Sequence, residues 1–409
     1  MGPATPSGGR SASARGQVPP FEVMSVLAAV ARRRAAGRDV VNLCVGEPSQ
    51  GAPAPVRAAL VRALEQGVGL GYSAAFGLPE LRQRLSHWYA ERYGLDVDAH
   101  RIALTTGSSG AFLLAFLAAF DAGDRVALAR PGYPAYRNIL SSLGCEVVEL
   151  DCGPAERYQP TPELLEAAGP LDGLVVASPA NPTGTMLDAD RMAALAAWCA
   201  DAGVRLVSDE IYHGITDRDP STPPGADPPA PGVSALASDP TAVVVSSFSK
   251  YWGMTGWRLG WAVLPDDLVA PVDALAGNYA LCPPVPSMYA ALAAFQPESL
   301  IEAEAAVAAH AEARRRMLAR VGELGWGDVA PADGAFYVWA DISPVLGRHP
   351  DSRAWCTALL EQHDVGLTPG LDFDPVAGGT HVRVSLAPGA HAVDRAVERI
   401  LRFQTALAG

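Results

Sequence analysis

Ile102-Ala103-Leu104-Thr105-Thr106-Gly107-Ser108-Ser109-Gly110, then the apolar run 111–120, then Arg125-Val126-Ala127-Leu128-Ala129, sets a pattern that the chain repeats. The apolar residues 102–106 predict a strand, 107–110 a tight turn, 111–120 a strongly apolar helix and 125–129 a second strand. Backbone N–H groups at such a helix start form an anion cradle, and the hydroxyls of Ser108 and Ser109 add donors. Taken alone, that turn is weak evidence for phosphate. Further strands are expected at 145–150, 174–177 and 204–208, separated by helical segments, the last of them alanine-rich at 189–202. This alternation predicts an α/β fold with an open, mostly parallel central sheet covered by helices on both faces.

Ligands on such sheets bind beyond the carboxyl ends of the strands. The residues that follow each expected strand are therefore the candidates. Gly107, Ser108 and Ser109 follow the first. Arg130-Pro131-Gly132-Tyr133-Pro134 follows the second, and its two prolines and glycine stiffen a turn that presents Tyr133 as a flat ring for stacking. Asn181 lies in 178–184, and Asp209 and Tyr212 lie in Asp209-Glu210-Ile211-Tyr212-His213. Last comes Ser247-Phe248-Ser249-Lys250-Tyr251-Trp252-Gly253, which runs on to Arg258 and Gly260 between expected strands at 242–245 and 259–264. A lysine flanked by hydroxyls and followed by a fixed cation suits a Schiff-base amine beside a phosphate site. The ordinary alternative is a solvated loop lysine. All these polar groups fall at strand ends, and that convergence outweighs any one of them.

Residues 1–17 are small, polar and glycine-rich with no apolar core, and read as a floppy tail rather than a signal peptide. A helix is expected at 21–37 with a basic end, followed by a strand at 40–45. Gly46 comes next, either letting backbone approach a ligand or making an ordinary turn. Helices are expected at 55–66 and 79–93, with Tyr72 in an irregular stretch between them. The proline-rich segment 217–232 reads as a surface loop. Beyond the lysine, a helix at 266–276, a break at 283–286 and a long helix at 302–324 lead into a smaller α+β domain. Arg314-Arg315-Arg316 on the long helix reads as a solvated face. The smaller domain has expected strands at 335–340, 365–368 and 381–386 and helices at 352–362 and 391–406. Arg383 lies inside the apolar alternation Val382-Arg383-Val384. A buried arginine is costly unless it meets an anion, the alternatives being a ligand or a neighbouring carboxylate.

The 409 residues are too many for one ordinary core and imply a large and a small domain. With 49% hydrophobic and 18% charged residues the chain is globular, and 31 basic against 44 acidic residues argue against a nucleic-acid binder. No apolar run approaches a membrane span. The six cysteines show no metal spacing, so no metal site is expected, and their scatter fits a reducing cytoplasm without disulfides.

The lysine segment, the Asn181-Pro182-Thr183-Gly184 turn, Asp209 to Tyr212 and Arg383 together resemble the class I/II aminotransferases, the aspartate-aminotransferase-like group of fold-type-I pyridoxal-phosphate enzymes. The resemblance runs over about 21–403. It implies a flexible tail at 1–20, a segment 21–53 packing with the small domain, a large cofactor-binding domain at 54–295 and a small domain at 296–409. It makes pyridoxal 5'-phosphate the cofactor, with Lys250 binding its aldehyde and then moving the proton between substrate and cofactor. Asp209 would pair with the pyridine nitrogen, Asn181 and Tyr212 with the phenolic oxygen, and Tyr133 would stack on the ring. Gly107, Ser108, Ser109, Ser247 and Arg258 would bind the phosphate. Arg383 would clamp the substrate carboxylate, with Asn181 and Gly46 beside it. Tyr72 would reach the phosphate of the neighbouring subunit in a homodimer. The implied reaction is exchange of an α-amino group between an L-amino acid and a 2-oxo acid. The same groups also suit β-elimination, decarboxylation or oxidation, and more remotely a non-catalytic regulatory module. No second arginine is clearly placed for a distal carboxylate, Arg137 being the one candidate. Phe21, Trp252 and Tyr279 near the expected mouth favour a neutral or aromatic side chain.

Overall fold

The computed structural model describes residues 12–217 and 231–408, so most of the proline-rich segment and the first residues of the tail lie outside it. Helix α1 (Glu22–Ala35) comes first, then the short strand β1 (Val41–Asn42) and helices α2 (Ala54–Glu65) and α3 (Pro79–Tyr93). The predicted alternation follows: β2 (Ile102–Thr105), α4 (Gly107–Ala119), β3 (Arg125–Arg130), α5 (Pro134–Leu143), β4 (Glu146–Asp151), α6 (Pro162–Ala168), β5 (Gly173–Ala177), α7 (Ala189–Ala202) and β6 (Arg205–Asp209). Strands β7 (Val243–Ser247) and β8 (Gly260–Val263) complete a seven-stranded sheet in the order β2-β8-β7-β6-β5-β3-β4.

All its pairings are parallel except those of β8, which runs antiparallel to both β2 and β7. A parallel return needs a helical crossover. Residues 248–259 instead fold into a compact turn, and β8 comes straight back along β7. Lys250 sits in that turn.

Alternate strand residues point to opposite faces. Val175, Val207, Val243 and Val245 join one buried cluster, while Leu174, Val176, Leu206 and Val244 join the other. The first face is covered by α4, α5 and helix α8 (Asp266–Ala280), through Phe112, Phe116, Leu140 and Val272. The second is covered by α3, α6 and α7, through Leu85, Leu165, Met192 and Cys199.

Helix α9 (Val285–Ala291) and the long helix α10 (Pro297–Leu324) lead to a second, antiparallel sheet. It is built from β9 (Tyr337–Asp341), β11 (Thr368–Pro369) and β12 (His381–Ser385) in the order β11-β12-β9. Helix α11 (Ser352–His363) packs with β11, α12 (Ala390–Ala408) packs along α10 and α11, and β10 (Val365–Gly366) pairs in parallel with β1. The start of the chain is fastened to this C-terminal part. Arg33 and Arg38 both reach Asp364, at 2.7 and 2.6 Å, and Glu22 meets Arg353 at 2.6 Å.

Several boundaries differ from expectation for physical reasons. Helix α4 begins at Gly107, so the glycine-serine turn is its first turn. Helix α8 continues through Pro271 to Ala280 because Leu268, Val272 and Ala276 form a buried stripe, and packing overrides propensity. The strand expected at 40–45 shrinks to two residues, and the one at 365–368 splits in two, pairing with different partners. Arg314 corrects the solvated reading of its triplet: it is 2% exposed, pairs with Asp217 at 3.0 Å and donates to the Ala335 carbonyl at 2.6 Å. Arg315 and Arg316 do face solvent, each at 2.7 Å from Glu312.

Candidate active site

The carboxyl ends of the parallel strands open into a cavity of about 480 Å³, bounded on its far side by β9, β12 and α1. At its floor, α4 presents its first turn with Ser108 and Ser109 on the cavity wall. Gly107 has φ +69°, and a Cβ there would lie 2.3 Å from Arg258 Nη2. The glycine therefore admits the guanidinium to the helix end. Arg258 adopts φ +51°, unusual for a side chain of its size. Its Nη1 donates to the Thr255 carbonyl at 2.9 Å. A helix N-terminus, two hydroxyls and a planar cation converge here, which is the donor set a phosphate dianion requires.

Asp209 is the last residue of β6 and is buried. One carboxylate oxygen accepts from the Tyr136 hydroxyl and the other from the Ile211 N–H at 3.0 Å. Burial raises its pKa to about 6, against the pull of those two bonds and of Lys250. Lys250 donates through Nζ to the Gly46 carbonyl at 2.5 Å. Burial lowers its pKa to about 8, and Arg383 and Arg258 add to the effect. Burial, helped by the fixed cations, thus brings the amine towards neutrality, as a nucleophilic lysine needs.

Arg383 sits on β12, 4% exposed, with its guanidinium over the rings of Tyr337 and Phe373 at 4.6 and 4.7 Å. Its hydrogen-bond partners are neutral. Nη1 donates to Asn181 Oδ1 at 3.0 Å and Nη2 to the Cys44 carbonyl at 2.7 Å, while buried Nε has no partner among the described residues. A guanidinium buried this way and facing a cavity is poised for an anion.

The fold therefore brings together Gly46, Ser108, Ser109, Tyr133, Asn181, Asp209, Tyr212, Lys250, Arg258 and Arg383 on one cavity, with Gly107 directly behind. Ser247 lies outside the lining: its hydroxyl donates to the Leu259 carbonyl at 2.9 Å and braces the lysine turn, and Ser249 lines the cavity in its place. Tyr72 is 84% exposed and away from this chain's cavity. Phe21 stacks on Tyr133, with ring centroids 6.2 Å apart. Trp252 and Tyr279 are not at the mouth. Trp252 is buried among Trp88, Phe248 and Phe295, and Tyr279 is an exposed residue of α8. Arg137 is engaged by Glu149 at 2.7 Å and the Asp372 carbonyl at 3.2 Å.

Sequence reasoning missed Tyr136, Tyr337 and the α1 residues Val23, Met24 and Leu27, all of which line the cavity. Tyr136 stands one helical turn from Tyr133, a visible signal. Tyr337 shares a sheet face with Arg383, because Arg383 registers with Trp339 and Ser385 with Tyr337, but that pairing needs the sheet itself.

A family model described as Aminotransferase class I and II matches residues 38–400. The chain is 50% identical to the valine–pyruvate aminotransferase of Mycobacterium tuberculosis, over 94% of this chain and 96% of that protein. It is 33% identical to the aspartate/prephenate aminotransferase of Thermus thermophilus, over 94% and 96%. The crystal structure of an aminotransferase from Mycobacterium tuberculosis superposes with a TM-score of 0.92 at 49% identity, over 97% of this chain and 100% of that one. Aspartate aminotransferase from Thermus thermophilus with maleate gives 0.87 at 31% identity, over 96% and 99%. Matched along nearly its whole length in sequence and fold, the chain belongs to the class I and II aminotransferases, enzymes that exchange an amino group between an amino acid and a 2-oxo acid.

Proposed function

We propose that the protein uses pyridoxal 5'-phosphate to transfer the α-amino group of a neutral, apolar L-amino acid to a 2-oxo acid in two half-reactions. The observation that carries the cofactor is the joint placement of Lys250, Asp209 and the Arg258–α4 cradle on one cavity wall. Pyridoxal phosphate, when bound, supplies an electron sink for charge developing at the substrate Cα. The chain supplies the rest. Arg258, Ser108, Ser109 and the first amides of α4 hold the phosphate. Asp209, oriented by Tyr136 and the Ile211 amide, holds a proton on the ring nitrogen. Tyr212 and Asn181 donate to the phenolic oxygen, and Tyr133 covers a ring face. Lys250, whose amine rests on the Gly46 carbonyl, would be the residue that holds the cofactor by its aldehyde end. Burial lowers the pKa of that amine, which would suit it, when free, to carry the proton at the substrate Cα. Arg383 receives the substrate carboxylate through its fork.

Val23, Met24, Leu27, Phe112, Ile139 and Ile211 give the cavity an apolar lining for the donor's side chain, and Arg137 is already paired with Glu149. A dicarboxylate would meet apolar surface there. The name of the 50%-identical relative supports a branched apolar donor with pyruvate as acceptor. A homodimer belongs to the same reading. It would account for exposed Tyr72, reaching a partner's phosphate, and for exposed Val61, Leu64 and Ile301 on neighbouring helices.

The test is direct. The purified protein should take up pyridoxal phosphate and turn yellow, and borohydride should fix the label on Lys250. Stoichiometric valine or alanine should bleach the visible band and release an oxo acid in a single turnover, with glutamate and aspartate far slower. Release of ammonia or carbon dioxide would point to another reaction, and a faster aspartate reaction would overturn the apolar donor.

A further inference from the structure

Tyr337 touches three parts of the site that the proposed chemistry treats separately. It is 1% exposed, at the start of β9. Its hydroxyl lies 2.7 Å from the hydroxyl of Tyr212. Its ring lies against the Arg383 guanidinium, 4.6 Å from Cζ to centroid. A Cβ on Gly46 would come within 2.8 Å of the same hydroxyl, so Gly46 must be glycine for the phenol to fit, and Gly46 is the residue whose carbonyl receives Lys250. A ring alone would pack against Arg383 equally well. The hydroxyl is buried at a polar contact it would otherwise make expensive, so its role lies in the hydrogen bond to Tyr212.

We propose that Tyr337 is a positioning residue that donates its hydroxyl proton to Tyr212, thereby directing the single proton of Tyr212 onto the cofactor's phenolic oxygen. This rests on the pyridoxal-phosphate reading above. A phenol has one proton to give and two lone pairs to receive with. Two facing hydroxyls leave the direction open until a third acceptor takes one proton. Once Tyr212 donates forward, Tyr337 must donate to Tyr212. Accepting that bond polarises the Tyr212 O–H and makes it the stronger donor. The chain Tyr337–Tyr212 then favours the ionised phenolic oxygen. Because the same ring seats Arg383, Tyr337 also links the carboxylate clamp to that oxygen. Among the described residues, the other charged or titratable groups facing this pair are Lys250, whose Nζ is 5.9 Å from the Tyr212 ring centroid, Arg383, Tyr133 and Tyr136.

The experiment titrates the visible absorption band of the cofactor-loaded protein in the wild type, Tyr337→Phe, Tyr212→Phe and the double variant. Tyr337→Phe keeps the ring under Arg383. It should move the band's midpoint upward by about half a pH unit or more, the scale of one neutral hydrogen bond. It should also lower kcat several-fold and leave the donor KM within about twofold. Tyr212→Phe should shift the midpoint at least as far, and adding Tyr337→Phe to it should shift it no further, since the second residue acts through the first. An unmoved midpoint in Tyr337→Phe, or shifts that simply add in the double variant, would overturn the relay. Should Tyr337→Phe fail to fold, Tyr337→Met read by the same cycle serves in its place. A wild type with no visible band overturns the cofactor reading as well, whereas a normally titrating wild type with an unmoved variant overturns the relay alone.

Discussion

Lys250 keeps its amine on the Gly46 carbonyl in a site with two arginines near it, and that arrangement weakens the cofactor-free fold. Its pKa falls from 10.5 to about 8, mainly through burial. A base with a lowered folded pKa costs stability wherever it is charged in both states. The full cost applies below pH 8 and fades as the pH climbs to 10.5. At about 1.4 kcal/mol per unit, this amounts to roughly 3 kcal/mol at neutral pH. Lys250→Met should therefore raise the Tm of the cofactor-free protein at pH 7, with the gain shrinking towards pH 10. Equal gains at both pH values, measured by calorimetry, would show that the amine's charge is not the cause. Residues of this kind were the legible part. Lys250, Asp209 and Asn181 announce themselves as polar groups at or just beyond the ends of apolar strands, and Arg383 as a cation inside one. Ser247 was legible as a hydroxyl but not as a brace for the turn, because its partner, the Leu259 carbonyl, becomes a neighbour only when β8 folds back.

Helix α1 shows what an element's sequence leaves out. Its extent was nearly readable, 21–37 expected and Glu22–Ala35 observed. Its N-terminus carries no capping side chain of its own. The Asp372 carboxylate supplies the cap, accepting from the Glu22 and Val23 amides at 2.8 and 3.0 Å. A cap brought from the far end of the chain has no local signature. The basic end pairs with Asp364, equally remote. Asp372→Ala should remove about 1 kcal/mol or more from α1. Hydrogen exchange at 22–26 should speed up while β6 and β7 stay protected. Since Val23, Met24 and Leu27 line the cavity, the same variant should raise the KM for valine several-fold and that for alanine less. Equal losses for both donors would show that α1 does not sense the side chain.

At the scale of the molecule, the seven-stranded sheet was foreseeable because strand and helix patterns alternate, and the ligand side followed from chain direction alone. The antiparallel β8 and the pairing of β1 with β10 were not, since both depend on which segments meet in space. The proposed homodimer is likewise a matter of assembly. Sedimentation should give a mass near twice 42.6 kDa, and Tyr72→Phe should weaken pyridoxal phosphate retention without dissociating the dimer. A monomer with full activity would contradict both.

The attachment of α1 to the C-terminal sheet gives the protein a modular design. The groups proposed for the chemistry are set in the ends of the large sheet and in β12, whereas much of the proposed side-chain wall is a single helix pinned by Asp372, Arg353 and Asp364. Retargeting by exchange is then a matter of residues 21–35. A transplanted first helix that keeps Glu22, Arg33 and the exposed amides for Asp372, but carries a cation where Met24 or Leu27 stands, would shift preference towards acidic donors without disturbing the lysine.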